Sequence, residues 1–370
     1  MRNEKQVGRK AGFPLFLVSP PLFLLALCLA SCTSHTPAQR ITPSVVPLPT
    51  KITPVLPTPT ISPTQLNADA PLLRYPAPDL IHDLAWSPDG SHLAVSAGTN
   101  IHIYAADGLA EQHSLAVGVW SERIAFHPSQ PILAAAGKDG RIRFWDIDRT
   151  GGNEICSFVA HPKGANSLAF DPDGTFLATT GSEIISRLWD ISSVLSGGCD
   201  VKAGAELIGA SYTASDVAFS VDGQAFALVD IHDIRLRENG TRKLIATLKS
   251  DLSIFDLAFS PDGRWLAAAQ SSATLTIWDL AGKPVPGPTT LQLSVNNPQM
   301  YVWRVDFSSD SRLLAGGGSD GSLLVWDVAS LQPVFNRSLA HAVSGLAFRP
   351  GRHTLAVGTL DGAVYFWEIK

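Results

Sequence analysis

The stretch RIRFWDID, residues 141–148, decides how the chain is read. Apolar and polar side chains alternate from Arg141, and the alternation ends on Trp145 and Asp146. A period of two is the signature of a β-strand with one face against a core. Close copies follow as SRLWDI (186–191), LTIWDL (275–280), LLVWDV (323–328) and VYFWEI (364–369).

Working outward, each copy is preceded by a second recurring phrase, an apolar residue, alanine and an aromatic residue before a turn. It reads LAWSPDG at 84–90, IAFHPSQ at 124–130, LAFDPDG at 168–174 and VAFSVDG at 217–223. It returns as LAFSPDG at 257–263, VDFSSDS at 305–311 and LAFRPGR at 346–352. The aromatic residues are Trp86, Phe126, Phe170, Phe219, Phe259, Phe307 and Phe348, spaced by 40, 44, 49, 40, 48 and 41 residues. Each unit predicts a short strand ending at a Pro-Asp-Gly type turn, then a small-residue strand such as LAAAG (133–137), whose alanines let neighbouring sheets approach closely. A tight turn follows, clearest at Asp139-Gly140, Asp320-Gly321 and Asp361-Gly362, and the Trp-Asp strand completes the set.

Seven ordered units of about 40–45 residues resemble the WD40 repeat family. The resemblance covers residues 70–370 and implies an all-β, seven-bladed β-propeller of four-stranded blades around a central channel. The last repeat stops at its third strand, and residues 71–75 (PLLRY) are expected to pair with 363–369 and close the ring. In the family, many blades carry a buried hydrogen-bonded set of His, Ser or Thr, Asp and Trp. The resemblance assigns such structural roles to His161, Thr179 and Trp189, with Glu183 in the Asp place, and to the pairs Asp139–Trp145, Asp320–Trp326 and Asp361–Trp367. No repeat is expected to hold all four. Two repeats depart at the third strand, which ends in Tyr104-Ala105 in the first and Arg237-Glu238 in the fourth, and weaker interlocking is expected there.

Residues 1–31 read as an export signal. Arg2, Lys5, Arg9 and Lys10 precede an apolar run over 14–30 that Pro20 and Pro21 interrupt. The run ends in LASC (29–32), which resembles a bacterial lipobox. That resemblance implies cleavage before Cys32, acylation of its thiol and an extracytoplasmic protein held to a membrane by lipid alone. Residues 32–70 are rich in Pro and Thr and poor in aromatics, so they are expected to form a disordered tether. At ~3.1 Å per residue, its ~38 residues would reach roughly 120 Å. The domains expected are therefore signal 1–31, tether 32–70 and propeller 71–370.

Charged residues are 16% of the chain and the net charge is −5, which argues against a nucleic-acid binder. No HExxH, Walker loop or Cys/His metal spacing occurs. The expectation is a monomeric, non-enzymatic scaffold without metal or cofactor. Cys156 and Cys199, the thiols left in the propeller, fall near third-to-fourth-strand connections of adjacent blades, and a disulfide or two free thiols are both open readings.

In WD40 proteins partners typically bind the face made by the loops before the first strands and the second-to-third-strand turns. Six and four residues before each strand aromatic, side chains should point out there. These positions place Trp120, Phe255, Tyr301 and Trp303 in solvent, rimmed by His82, Glu122 and Lys138, with Thr213 and Asp230 also on this face. Such an aromatic patch suits a protein or peptide partner, a cell-wall glycan is the rival ligand, and a hydrolase or lyase propeller is the third reading.

Overall fold

The computed structural model describes residues 69–370, apart from 149–151, 184, 208–214, 231, 283–286 and 294–296. The expected signal, Cys32, nearly all of the tether and Thr213 lie outside the described residues.

The alternating stretches form seven four-stranded antiparallel sheets. In six of them the four strands lie in chain order. Blade 2 shows the plan: Ser121–Phe126, Ile132–Gly137, Arg141–Asp146 and Glu154–Val159. The first strands of successive blades touch one another, and the seventh meets the first, so they surround a central axis. The seventh sheet combines Val343–Phe348, Thr354–Thr359 and Ala363–Glu368 with Leu73–Arg74 from the other end of the chain. Leu73 lies opposite Val364 and Arg74 opposite Ala363, so the ring is closed by a short seam of two paired residues. Leu72 N donates to Val364 O at 2.9 Å and Tyr75 N to Gly362 O at 2.8 Å, which continues the seam by one bond on each side.

The core lies between blades. Ile101, Ile103 and Leu115 of blade 1, for example, pack against Ile124, Phe126, Leu133 and Trp145 of blade 2. The second strands are filled with alanine where sheets approach most closely, as at Ala134, Ala135 and Ala136, each at most 1% exposed. The Trp residues of the third strands, Trp145, Trp278, Trp326 and Trp367 among them, are buried. The Asp-Gly turns need their glycine. Gly140 has φ +79°, and a Cβ there would lie 1.7 Å from the His161 carbonyl oxygen of the next blade.

The two departures at the third strand have different outcomes. In blade 1 the phenol of Tyr104 meets that of Tyr75 at 2.7 Å, both rings buried. Burial pushes the Tyr104 hydroxyl up to about 12. The closing segment therefore brings its own partner to the blade that lacks Trp. Blade 4 has no such replacement: its first strand, Val217–Phe219, is short, and the apolar cluster around Val217, Phe226 and Leu228 has few members.

Cys156 and Cys199 are joined in a disulfide with Cα atoms 5.3 Å apart. Cys156 lies within the fourth strand of blade 2 rather than in a connection. Cys199 lies in the third-to-fourth-strand connection of blade 3, after a one-turn helix, Ser192–Leu195. The bond thus ties blade 2 to blade 3.

Candidate functional site: the open face and the charged channel

In each blade the first strand presents a free edge to the axis, and the N–H groups on that edge have no neighbouring strand to receive them. Aspartates supply acceptors. Asp83 takes Ile124 N–H at 2.9 Å, Asp216 takes Leu257 N–H at 2.7 Å and Asp256 takes Val305 N–H at 2.9 Å. In each case the acceptor lies on one blade and the donor on the next. All three stand three residues before the strand aromatic. Around the ring that position reads Asp83, Arg123, Ser167, Asp216, Asp256, Arg304 and Gly345.

Arg123 holds this column together. Its guanidinium bonds to Asp216 at 3.0 Å and to Asp256, and lies 3.9 Å from Asp83. Ser167 Oγ donates to Asp216 at 2.5 Å. The Asp83, Asp216 and Asp256 side chains are at most 3% exposed, and Arg123 is 19% exposed. Burial raises the carboxyl of Asp83, and raises that of Asp216 to about 6, although the nearby guanidinium of Arg123 opposes both shifts. Blade 7 contributes only Gly345, and Arg304 of blade 6 reaches across it to blade 1. It donates to His82 O at 2.8 Å and its Nε lies 3.8 Å from Asp83.

One residue before the aromatic, six blades carry alanine and blade 6 carries Asp306. Asp306 accepts Phe307 N–H at 2.9 Å and, from blade 7, Phe348 N–H at 2.7 Å. Burial raises its carboxyl to about 7. Asp83, Arg123, Asp171, Asp216, Asp256 and Asp306, with five of the alanines, line a cavity of about 510 Å³, bordered by Pro88, Pro128 and Pro172 of the Pro-containing turns. The sequence reading missed this cluster. Aligning the seven repeats on their aromatic residue displays it as a column in which five of seven positions are charged.

The expected partner-binding residues open the first strands. Trp120 is 53% exposed and Tyr301 is 41% exposed, joined by Leu80 at 38%. Phe255 and Trp303 are half-buried rather than solvent-exposed. Phe255 packs against Tyr301 with the ring centroids 5.5 Å apart and the planes tilted by 57°. His82 is stacked beneath Trp120 at 5.5 Å, half-buried, and burial lowers its pKa. Glu122 and Lys138 form an ion pair at 2.9 Å, so this rim is internally neutral. Asp230 pairs with Arg235 at 2.7 Å. The aromatic groups fall in two clusters, on blades 1–2 and blades 5–6.

The residues given structural roles are placed as follows. In blade 3, His161 and Trp189 both bond Thr179 Oγ1 at 2.8 Å, and Glu183 bonds the other His161 nitrogen at 2.9 Å. In blade 2, Asp139 pairs with Arg143 rather than with a histidine, and in blade 6 Asp320 accepts Ser322 N–H at 2.9 Å. Trp145 and Trp326 are buried beside them. Blade 7 corrects the sequence reading, because His341, Thr359, Asp361 and Trp367 supply all four residue types. Only Thr359 and Asp361 of the four are hydrogen-bonded to one another. Thr359 donates to Asp361 at 2.6 Å and Arg74 donates to it at 3.0 Å, His341 stays 3.8 Å away, and among the described residues Trp367 Nε1 has no hydrogen-bond partner.

Among the described residues no group of three or more His, Cys, Asp or Glu side chains is spaced to hold a metal ion. No described helix is long and apolar enough to cross a membrane. The family model described as "WD domain, G-beta repeat" matches residues 70–104, 111–146, 152–190, 242–279, 290–327 and 333–368. The interval it leaves out contains most of blade 4, whose third strand ends in Arg237-Glu238. No curated protein matches the chain.

Proposed function

The chain belongs to the WD40 repeat family, and from that premise we propose that it is a binding scaffold that takes a protein or peptide partner on the face opening its first strands. The observation that carries this reading is the exposure of Trp120 and Tyr301 at equivalent places on blades 2 and 6. A large aromatic ring left in water at the start of a rigid strand is poised to be covered, and its position is fixed before the partner arrives. Each ring also has a second ring as support, His82 under Trp120 and Phe255 beside Tyr301.

Trp120→Ala and Tyr301→Ala are each expected to weaken partner binding by roughly 30-fold, the cost of a central aromatic anchor at ~2 kcal/mol. The check is affinity capture from cells after cross-linking, with folding confirmed by an unchanged urea midpoint. Unchanged capture by both variants would sink the reading. Loss confined to glycan binding would favour a lectin-like propeller, which the stacked Trp120–His82 platform also suits. No catalytic role is proposed for any residue.

We also place the protein outside the cytoplasm, held by lipid on Cys32, on the strength of the charged and apolar leader and LASC. Cys32→Ser is expected to move the protein from the membrane pellet to the soluble or unprocessed fraction. Mass spectrometry of the mature N-terminus checks it, and an unmodified Cys32 on membrane-bound protein would refute it.

A further inference from the structure

We propose that the channel cluster makes the closed ring proton-linked, so that mild acid stabilises it and ionisation of the channel carboxyls at higher pH weakens it.

The charge count carries the argument. Five carboxyls, Asp83, Asp171, Asp216, Asp256 and Asp306, line the cavity with the guanidinium of Arg123, and Arg304 approaches Asp83 from blade 6. Full ionisation leaves three negative charges in excess among side chains largely withdrawn from water, which is costly unless protons are held. The described partners of Asp306 are the two backbone N–H groups, and among the described residues it has no ion pair. Charged groups face it from other blades: Asp256 disfavours its ionisation and Arg123 favours it. Asp83, Asp171, Asp216 and Arg304 complete the surroundings of the channel, and burial raises the Asp171 carboxyl too.

The direction follows from linkage. A carboxyl raised above its unfolded value binds a proton in the folded state that the unfolded chain has already released. Its stabilising effect is complete below the unfolded pKa and is lost as pH rises through the folded one. The unfolded carboxyls release their protons near the ordinary value of 3.8, so with Asp216 at about 6 and Asp306 at about 7 the loss falls between about pH 4 and pH 7. His82, His127 and His161, whose pKa values burial lowers, act in the opposite direction as pH falls below their ordinary value. They are common to wild type and variant, so a comparison of the two removes them.

Asp306→Ala restores the residue that the other six blades carry at this position. Urea unfolding of the full chain, followed by tryptophan fluorescence at pH 5.5 and 7.5, reads the effect. From the position of Asp306, its carboxyl alone should change the folding equilibrium constant roughly 25-fold across that interval. The variant should lose that factor, becoming relatively more stable at pH 7.5 and relatively less stable at pH 5.5. Should Asp306→Ala fail to fold, Asp306→Asn keeps the shape and an acceptor and serves in its place. Identical pH dependence in wild type and variant would overturn the proposal.

Discussion

Arg123→Met is expected to destabilise the fold by roughly 3–5 kcal/mol at pH 7.5, the usual cost of breaking a buried ion cluster from one side. Methionine keeps much of the volume of the arginine stem, so little of the loss would come from a cavity. The loss would come from Asp216, Asp256 and Asp83, all nearly inaccessible to water and all left without the guanidinium that faces them. Each of these aspartates also accepts an N–H from the following blade, so the damage spreads to three inter-blade contacts. The deficit should shrink toward pH 5, where the abandoned carboxyls take up protons. Arg123→Lys keeps the charge but not the fork and should fall between the two. Urea midpoints at pH 5.0 and 7.5 measure all of this. A variant as stable as wild type at pH 7.5 would show that Arg123 is not the counter-charge the geometry makes it.

The Cys156–Cys199 bond is expected to contribute about 4 kcal/mol, from the entropy of closing a loop across a sequence separation of 43 residues. Cys156→Ser with Cys199→Ser should lower stability by that amount, and so should reduction of the wild type. Cys199 is exposed, which gives a reductant access to one sulfur, whereas Cys156 is buried. Comparing urea midpoints with and without dithiothreitol tests the point. The double variant should no longer respond to the reductant, and a response that persists in it would refer the effect elsewhere. The bond joins blade 3 to blade 2, and the apolar cluster between blades 3 and 4 is small, so its loss should show first in hydrogen exchange over blades 3 and 4.

The blade count and the closing of the ring were legible because backbone needs recur. The alternation recurs in every blade, a second strand of small residues in most, and a positive-φ residue in the first turn of six. The short seam at Leu73–Arg74 could be inferred because the last repeat lacked an outer strand. Tertiary contacts between unlike positions were harder to read. Nothing in the local sequence of Tyr104 announces that Tyr75 will meet it, since the two are brought together only when the ring closes. Phe255 and Trp303 were expected in solvent because their offset from the aromatic residue was right. That offset fixes the direction of a side chain, not what stands beside it. The channel carboxyls were passed over for a related reason. Each stands alone as an acid in or beside a short first strand, and only the blades taken together show that Asp83, Asp216 and Asp256 converge on Arg123.

The seam at Leu73–Arg74 also decides where mechanical load enters the ring. Any tension carried along the chain ahead of Asp69 passes first through the Asp69–Arg337 ion pair at 2.8 Å and then into the two paired residues of the seam. The other six blades are each made from one continuous stretch of chain and lie behind that join, shielded from the pull. A protein tugged by its leading end would therefore open like a clasp at blade 7 long before any other sheet parted.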